Sequence, residues 1–305
     1  MQSRFRSDRR LTVRMGLTLF LLGLLYVGFV AALIVLLKSW LLVVVLIGAM
    51  FVAQFWFSDK IAMFAMHGRV VEREEYPELH AVVDRLCAIA DMPKPVVAVS
   101  RMDMPNAFAT GRDPDHAVVC VTTGLLRRLE PAELEGVLAH ELSHVAHKDV
   151  AVITIASFLG VIAGLIVRFA LYSQIFGGRR DQNTAAVFAV VLGVSAAVYA
   201  ISFLLIRALS RYRELAADRA AAHLTGRPSA LAAALTKVSG EIARIPTKDL
   251  RTAQAFNAFY FTPATGREPG IERFFSTHPS LEQRLEQLGR ISAELGEAAA
   301  PGKAG

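Results

Sequence analysis

Four long runs without a charged residue constrain the fold of this chain most strongly. They lie at residues 15–37, 40–57, 150–167 and 184–206. A helix needs about 20 apolar residues to span a bilayer, with a range of about 17–25, and all four runs fit. The first run is also too long for the apolar part of a signal peptide, which covers about 7–15 residues. A buried core helix is the alternative for each run, but the lengths favour two transmembrane hairpins.

Basic residues beside these runs predict their orientation. Cytoplasmic flanks are enriched in lysine and arginine, so the arginines before the first run place the N-terminus in the cytoplasm. Each hairpin returns the chain to that side, and arginines follow the fourth run as well. Arg179 and Arg180, in the predicted outer loop, run against this orientation. The flanking arginines are Arg4, Arg6, Arg9, Arg10 and Arg14, and then Arg207, Arg211 and Arg213.

The runs divide the chain into alternating membrane and cytoplasmic parts. We expect a first hairpin over 1–58, a cytoplasmic segment over 59–149, a second hairpin over 150–206, a second cytoplasmic segment over 207–292 and a flexible tail over 293–305. The two cytoplasmic segments would form one domain.

Composition excludes several classes of function. The apolar fraction is 54%, above the roughly 45–50% of soluble domains, and the four runs account for the excess. The net charge of +6 comes largely from the membrane flanks, so nothing indicates a nucleic-acid partner. No G-x-x-x-x-G-K-[ST] motif is present, and no nucleotide is expected. Cys87 and Cys120 lack metal or redox spacing and are expected to be free buried thiols.

The stretch "AHELSHVAHKD" at 139–149 carries the chemistry. Pro131 suits the first position of a helix, and apolar residues recur after it at three- and four-residue steps. His140 and His144 are four apart, so both imidazoles lie on one face and can reach one zinc ion. Glu141 lies beside them, where it can act as general base on a water. The alternative is a solvated His/Glu face of an amphipathic helix.

His147 is not expected to be a ligand of the same ion. Seven residues separate it from His140, which is about 10 Å along a helix axis at 1.5 Å per residue.

A catalytic zinc needs a third protein ligand, and "SRYRELAADRAAAHL" at 210–224 offers one. Two spans separate it from His144, so it returns to the same face of the membrane. We assign Glu214 as the third ligand. Asp218, four residues on, is expected to hydrogen-bond a ligand histidine and to fix its tautomer. The alternative is an arginine-rich juxtamembrane helix with internal Arg–Glu pairs.

These motifs and their order resemble the HtpX-type membrane-bound zinc metalloproteases, relatives of the CAAX prenyl endopeptidases. The matching segments are "PNAFATG" at 105–111, "VTTGLLRRLEPAELEGVLAHELSHVAHKD" at 121–149, "SRYRELAAD" at 210–218 and "FFSTHPSLEQRL" at 274–285. The resemblance implies one Zn²⁺ per chain on His140, His144 and Glu214, with Glu141 as the catalytic residue. It also implies a bacterial-type plasma membrane, a stress response, and quality control of misfolded membrane proteins as substrates.

The fold class that follows is α+β. We expect a zincin-like catalytic domain with a small sheet and the H-E-x-x-H helix, fused to a helical bundle of four spans. β-Branched runs at 96–99 and 117–121 predict two strands, and 106–110 an exposed edge strand between them. The resemblance implies that Asn106, Ala107, Phe108 and Ala109 line the substrate cleft, whereas an ordinary sheet strand is the alternative.

His278 and Arg284 lie in "THPSLEQRL". The resemblance suggests that they stabilise the oxyanion formed during peptide hydrolysis. The alternative is a helix start with Pro279 at its first position.

The sequence therefore predicts a membrane-integrated zinc endopeptidase that cleaves exposed or unfolded protein segments. Two other functions stay open: a zinc-binding membrane scaffold without turnover, and a prenyl-protein protease. The first would not need Glu141, and the second would need more spans than four.

Overall fold

The structure is a computed structural model that describes residues 9–37, 40–149, 152–153, 156–158, 160, 162–167, 182–242, 244 and 278–299. The chain forms two compact units. The helical unit consists of Thr12–Phe57 and Val152–Leu209, and the mixed unit contains Ser58–Ala151 and the chain from Ser210 onward.

The helical unit is built from α1 (Arg9–Leu37), most of α2 (Trp40–Ala65), the first part of α6 (Gln182–Thr225) and an apolar stretch between them. Its core includes Leu22, Phe29 and Phe158, and the Tyr26 hydroxyl donates to the carbonyl of Ala156 at 2.5 Å. Large apolar side chains also cover the outside: Phe20, Val27 and Leu204 are more than 60% exposed. A helix that is apolar all round suits a lipid environment.

Within the residues that the structure describes, two helices are long and apolar enough to cross a membrane, Val13–Val35 and Phe188–Thr225. The pair Val45–Phe57 and Asp59–Ala65 makes a third if it counts as one broken span. Ala156–Val167 is apolar but shorter. The described part of the chain thus contains two or three apolar helices of spanning length, and the four-span count stays a prediction. Arg179 and Arg180 lie outside the described residues.

The mixed unit contains a four-stranded sheet in the order β1-β2-β4-β3. β2 (Val96–Ser100) and β4 (Val118–Thr122) run parallel at its centre. β1 (Gly68–Val70) and β3 (Ala107–Thr110) pair with them antiparallel on either side. The β-branched residues of β2 and β4 are largely buried, as expected for central strands. The predicted small sheet is therefore present, and β3 is an edge strand.

Helices complete the mixed unit. α3 (Pro77–Ala90), α4 (Thr123–Leu126) and α5 (Pro131–Ala146) belong to the first segment, with a 3₁₀ turn at Pro114–His116 before β4. The end of α6, α7 (Pro228–Ile242) and α8 (Leu281–Ala299) belong to the second. α5 begins at Pro131, and the Glu133 carboxylate accepts the backbone N–H of Glu130 at 2.9 Å. This bond satisfies one N–H at the helix start.

Three expectations from the sequence are corrected here. β3 lies at the edge of the sheet, but Ala107, Phe108 and Thr110 are buried, because β3 packs against α5. α8 begins at Leu281, and the hydroxyl of Ser280 accepts the N–H of Gln283 at 3.3 Å. Ser280 therefore caps the helix, and Pro279 is not its first residue. α8 also continues to Ala299, with Ile291 buried and Leu295 packed on the core. The predicted tail is thus helical over 293–299.

Candidate active site

α5 presents two imidazoles to one point. His140 and His144 have ring centroids 4.8 Å apart at an interplanar angle of 86°. Their Nε2 atoms lie 3.2 Å from each other. Val137, Leu138 and Leu142 form the apolar face of α5 and are buried, which fixes the direction in which the histidine face points. The i, i+4 spacing therefore produces the convergence that the sequence predicts.

Glu214 arrives from α6 at the same point. One carboxylate oxygen lies 3.6 Å from His140 Nε2, and the other lies 3.6 Å from His144 Nε2. One donor atom from each of the three residues falls within 4.8 Å of the others. The chain between His144 and Glu214 includes the whole second apolar pair of runs, so this proximity is a product of the fold and not of local sequence.

The chemistry of these donors fits a divalent cation. The Nδ1 atom of each histidine lies beside a carboxylate. Asp218 Oδ1 lies 2.9 Å from His140 Nδ1, and Asp149 Oδ2 lies 2.7 Å from His144 Nδ1. A carboxylate accepts, so Nδ1 carries the proton and Nε2 keeps its lone pair in a neutral ring. Two Nε2 lone pairs and a carboxylate then face one another. Two nitrogens bound to one tetrahedral zinc at about 2.0–2.1 Å lie about 3.3–3.4 Å apart, close to the distance observed.

The charge around His140 and His144 shifts their pKa values in opposite directions. Burial lowers the pKa of both rings. For His140, hydrogen bonds with Asp218 and Glu214 outweigh burial and raise the pKa to about 9. For His144, burial and the neighbouring His140 lower the pKa to about 4. The negative potential that holds a proton on His140 also favours a metal cation in its place.

Glu214 and Asp218 stay ionised in this surrounding. Burial alone would raise their pKa values. His278 and His140 outweigh burial at Glu214 and hold its pKa well below the usual range. Arg284 outweighs burial at Asp218 and lowers the pKa of that carboxyl. Both carboxylates therefore carry negative charge at neutral pH.

Glu141 lies on α5 between the two histidines and is 4% exposed. Its carboxylate accepts the backbone N–H of Ala109 on β3, and burial raises its pKa. A carboxylate with a raised pKa is a stronger proton acceptor than one in water. Its position beside the histidine pair suits work on a molecule bound there.

His278 and Arg284 are both brought to the site, where each lies beside a carboxylate, and Arg284 Nη2 also lies 3.5 Å from His140 Nδ1. Arg284 donates to Asp218 twice, from Nε at 2.7 Å and from Nη2 at 2.6 Å. His278 Nδ1 lies 3.1 Å from Glu214 Oε2. The sequence did not indicate that Arg284 would be engaged by Asp218, and the oxyanion role of both residues stays a prediction.

β3 presents backbone groups to Glu141. The Thr122 N–H donates to the Asn106 carbonyl at 2.9 Å, and Phe108 pairs with Cys120 in the register of β3 and β4. Bonded and non-bonded pairs alternate in an antiparallel ladder, so the N–H and C=O of Ala107 and Ala109 point away from β4. The Ala109 N–H reaches Glu141 from that side.

His147 stays apart from this group. It follows the end of α5 at Ala146, and its Nδ1 donates to the Ser143 carbonyl at 2.7 Å. It is not among the three residues whose donor atoms converge.

Comparison with known proteins decides the family. The model of peptidase family M48 matches residues 73–292. The chain belongs to this family. Protease HtpX homolog 1 of Streptomyces coelicolor is 87% identical over 304 residues and covers 100% of both chains. Protease HtpX homolog of Moorella thermoacetica is 50% identical over 298 residues, 97% of this chain and 99% of the relative.

A solved structure is similar in fold as well. The crystal structure of Ste24p from S. mikatae has a TM-score of 0.51, with 18% identity, over 92% of this chain and 67% of that chain. The resemblance to HtpX-type proteases is therefore confirmed, and the M48 chain is a metallopeptidase with a membrane context. The zincin-like mixed unit is part of the family fold.

Two residues at the site were missed from the sequence. Asp149 contacts His144, and Arg213 pairs with Asp149. Asp149 lies five residues after His144, which is not a helical spacing for contact. Its one sequence signal is a charged residue directly before an apolar run.

Proposed function

We propose that this chain is a membrane-integrated zinc endopeptidase whose one Zn²⁺ is held by His140, His144 and Glu214. The observation that carries the proposal is the 3.2 Å separation of two Nε2 atoms whose rings both face carboxylates with Nδ1. Two histidines and one glutamate are a known ligand set of catalytic zinc, and it leaves a position open for water or substrate.

Glu141 would be the general base. Zinc, when bound, polarises the scissile carbonyl and lowers the pKa of water towards about 7. Glu141 accepts the proton of the attacking water on its carboxylate and donates it to the leaving amine, a role worth typically 10²–10⁴-fold in rate. The burial that raises its pKa supports this role. The Ala109 N–H holds one side of the carboxylate, which fixes its orientation.

Extended protein segments would be the substrates. The outward N–H and C=O of Ala107 and the C=O of Ala109 can pair with a strand, which gives affinity with little dependence on side chains. Asn106 and Phe108 would support this edge by pairing inward with β4. Such a site takes exposed or unfolded segments, since most backbone groups of a folded protein are already hydrogen-bonded within it. Misfolded membrane proteins are the expected source, and protein quality control the expected context.

His278 and Arg284 would support the site from α8 and the residues before it. Arg284 keeps Asp218 ionised, and Asp218 orients His140. His278 lies against the third ligand. We retain stabilisation of the oxyanion as part of their proposed role, since a charged donor close to the metal ligands favours developing negative charge.

The membrane arrangement is proposed from the apolar runs. Four spans, with the N-terminus and the mixed unit on the cytoplasmic side, agree with the arginines before the first run and after the fourth, whereas Arg179 and Arg180 run against this orientation. The proposed domains keep the boundaries 1–58, 59–149, 150–206 and 207–292. The substrates would then be cleaved at the cytoplasmic surface of the plasma membrane.

Proteolysis by the purified full chain tests the proposal. Detergent-solubilised protein would be incubated with casein, and the new termini identified by mass spectrometry. We expect cleavage that a chelator abolishes and added Zn²⁺ restores, and no cleavage by Glu141→Gln. Cleavage that persists after complete removal of metal would contradict the proposal. A wild-type chain that binds zinc but cleaves neither casein nor an unfolded membrane protein would support a scaffold instead.

A further inference from the structure

The chain turns back on itself directly after α5. The His147 N–H donates to the Ser143 carbonyl at 3.0 Å and the Lys148 N–H to the Val145 carbonyl at 3.1 Å. Lys148 has a φ of 56°, in the left-handed region that is common just after a helix end. This reversal brings the next residue, Asp149, back to the helix. Its Oδ2 atom lies 2.7 Å from His144 Nδ1.

Arg213 reaches the same carboxylate from α6. Its guanidinium is 2% exposed and forms an ion pair with Asp149, which is itself 6% exposed. Nη2 also donates to the His147 carbonyl at 3.3 Å, at the end of α5. Arg213 is adjacent in sequence to Glu214. One buried arginine thus joins the turn after one ligand to the helix that carries another.

We propose that Asp149 and Arg213 are positioning residues of the metal site. Asp149 holds His144 with the proton on Nδ1 and the lone pair on Nε2. Arg213 holds Asp149 in place and sets the distance between His144 and Glu214. The inference rests on the proposed function, because it takes His144 and Glu214 as ligands.

The energetics distinguish this role from general packing. Burying an arginine and an aspartate is costly, and replacing such a pair by apolar residues is often neutral or stabilising. The pair is therefore not explained by stability alone. A carboxylate on the second nitrogen of a ligand histidine fixes its tautomer and strengthens it as a ligand, and its loss typically costs 10–100-fold in metal affinity.

His140 has the corresponding arrangement on the other side. Asp218 faces its Nδ1, and Arg284 holds Asp218 with two hydrogen bonds. Each ligand histidine thus has a buried carboxylate, and each carboxylate has a buried arginine. The two carboxylate–arginine pairs come from different elements. The pair beside His140 comes from α6 and α8, and the pair beside His144 comes from the turn after α5 and from α6.

The test is the zinc dissociation constant of the full chain in detergent, measured by competition with a chromophoric chelator. We expect Asp149→Asn to weaken zinc binding 10–100-fold. Arg213→Met should weaken it less, and should add little in the Asp149→Asn background, because it acts through Asp149. Replacing bound zinc by Co²⁺ provides a second readout, since the visible absorption of Co²⁺ reports the geometry of its ligands.

Glu133→Gln is the matched control. Glu133 is also buried on α5 and pairs with Lys237 on α7 at 2.7 Å, away from the three ligands. It should alter stability and leave the zinc affinity and the Co²⁺ spectrum unchanged. If Asp149→Asn alone does not fold, the zinc affinity is measured instead on the double variant Asp149→Asn/Arg213→Met, which buries no unpaired charge.

The possible results distinguish failure of the positioning role from failure of the proposed metal site. Zinc affinity within twofold of wild type in Asp149→Asn, or in the double variant, would overturn the inference while the metal site stands. Strictly additive effects of the two substitutions would overturn the role of Arg213. A wild-type chain that binds no zinc would overturn the proposed function, and with it this inference.

Discussion

Asp218→Asn tests how the buried charges around His140 are balanced. Asp218 is fully buried and accepts two hydrogen bonds from Arg284, which is 2% exposed. Asparagine keeps the shape but removes the charge, so the buried guanidinium loses its nearest counter-ion and keeps only the more distant Glu214, whose Oε2 lies 3.8 Å from Nη1. Breaking a buried pair in this way costs about 3–5 kcal/mol. At about 1.4 kcal/mol per tenfold, the unfolding equilibrium of the metal-free mixed unit shifts by a factor of roughly 10² to several times 10³.

Removal of both charges gives the opposite expectation. In Asp218→Asn/Arg284→Met no unpaired charge is buried, so most of the lost stability should return. Zinc affinity should not return, because His140 still lacks its carboxylate and loses roughly 10–100-fold in either variant. Stability and metal affinity therefore separate in the double variant.

The two cysteines provide the assay. Cys87 and Cys120 belong to the core of the mixed unit, and burial raises their pKa values to about 11 and about 12. Labelling of these thiols in the native state thus reports opening of that unit and is insensitive to the helical unit. Labelling of Asp218→Asn at the wild-type rate, or a double variant less stable than the single one, would refute the reasoning.

Three further predictions concern the proton, the backbone and the edge strand. The pKa of His140 is raised from 6.5 to about 9 in the metal-free protein, so zinc must displace a proton. Zinc affinity should therefore rise up to tenfold per pH unit from pH 6.5 to 9 and then level off, and the stability that protonated His140 contributes below pH 6.5 should be lost across the same window. A zinc affinity that does not change with pH over this window would contradict the expectation. Gly124→Ala would place a Cβ 1.9 Å from the Asp103 carbonyl oxygen and should lower the free energy of unfolding, measured by thiol labelling, by about 1–3 kcal/mol. Gly289→Ala lies in open space on α8 and should raise the free energy of unfolding by about 0.5–1 kcal/mol. Equal effects of the two variants would be inconsistent with this packing. Ala107→Pro removes an N–H that points away from β4 and leaves the Ala109 N–H on Glu141, so the protein should fold and lose casein cleavage. Thr110→Pro removes a ladder N–H and should destabilise the sheet. Full activity of Ala107→Pro would exclude the edge from substrate binding.

The sequence predicted those parts of the site that follow from periodicity. The helix from Pro131 and the shared face of His140 and His144 depend on spacing within α5. Glu214 followed from a count of apolar runs between the two segments, and the structure places it at 3.6 Å from both histidines.

The remaining contacts depend on turns and on packing between distant elements. Asp149 reaches His144 only because Lys148 adopts a left-handed conformation, which no residue type in "HKD" requires. Arg213 looked like one more basic residue at the end of an apolar run, yet it is buried. Arg284 was assigned to the reaction, but the partner that neutralises it, Asp218, could be identified only once α6 and α8 were packed together.

Bound zinc in a small set of variants tests the central claim most directly. The full chain would be loaded with Zn²⁺, freed of excess metal, and analysed for zinc per chain by mass spectrometry of the elements. We predict one zinc in wild type, in Glu141→Gln and in His147→Ala, and strongly reduced zinc in His140→Ala, His144→Ala and Glu214→Ala. Glu141→Gln should retain the metal without cleaving casein. Full zinc in Glu214→Ala, or loss of zinc in His147→Ala with folded protein, would contradict the assignment of the ligands.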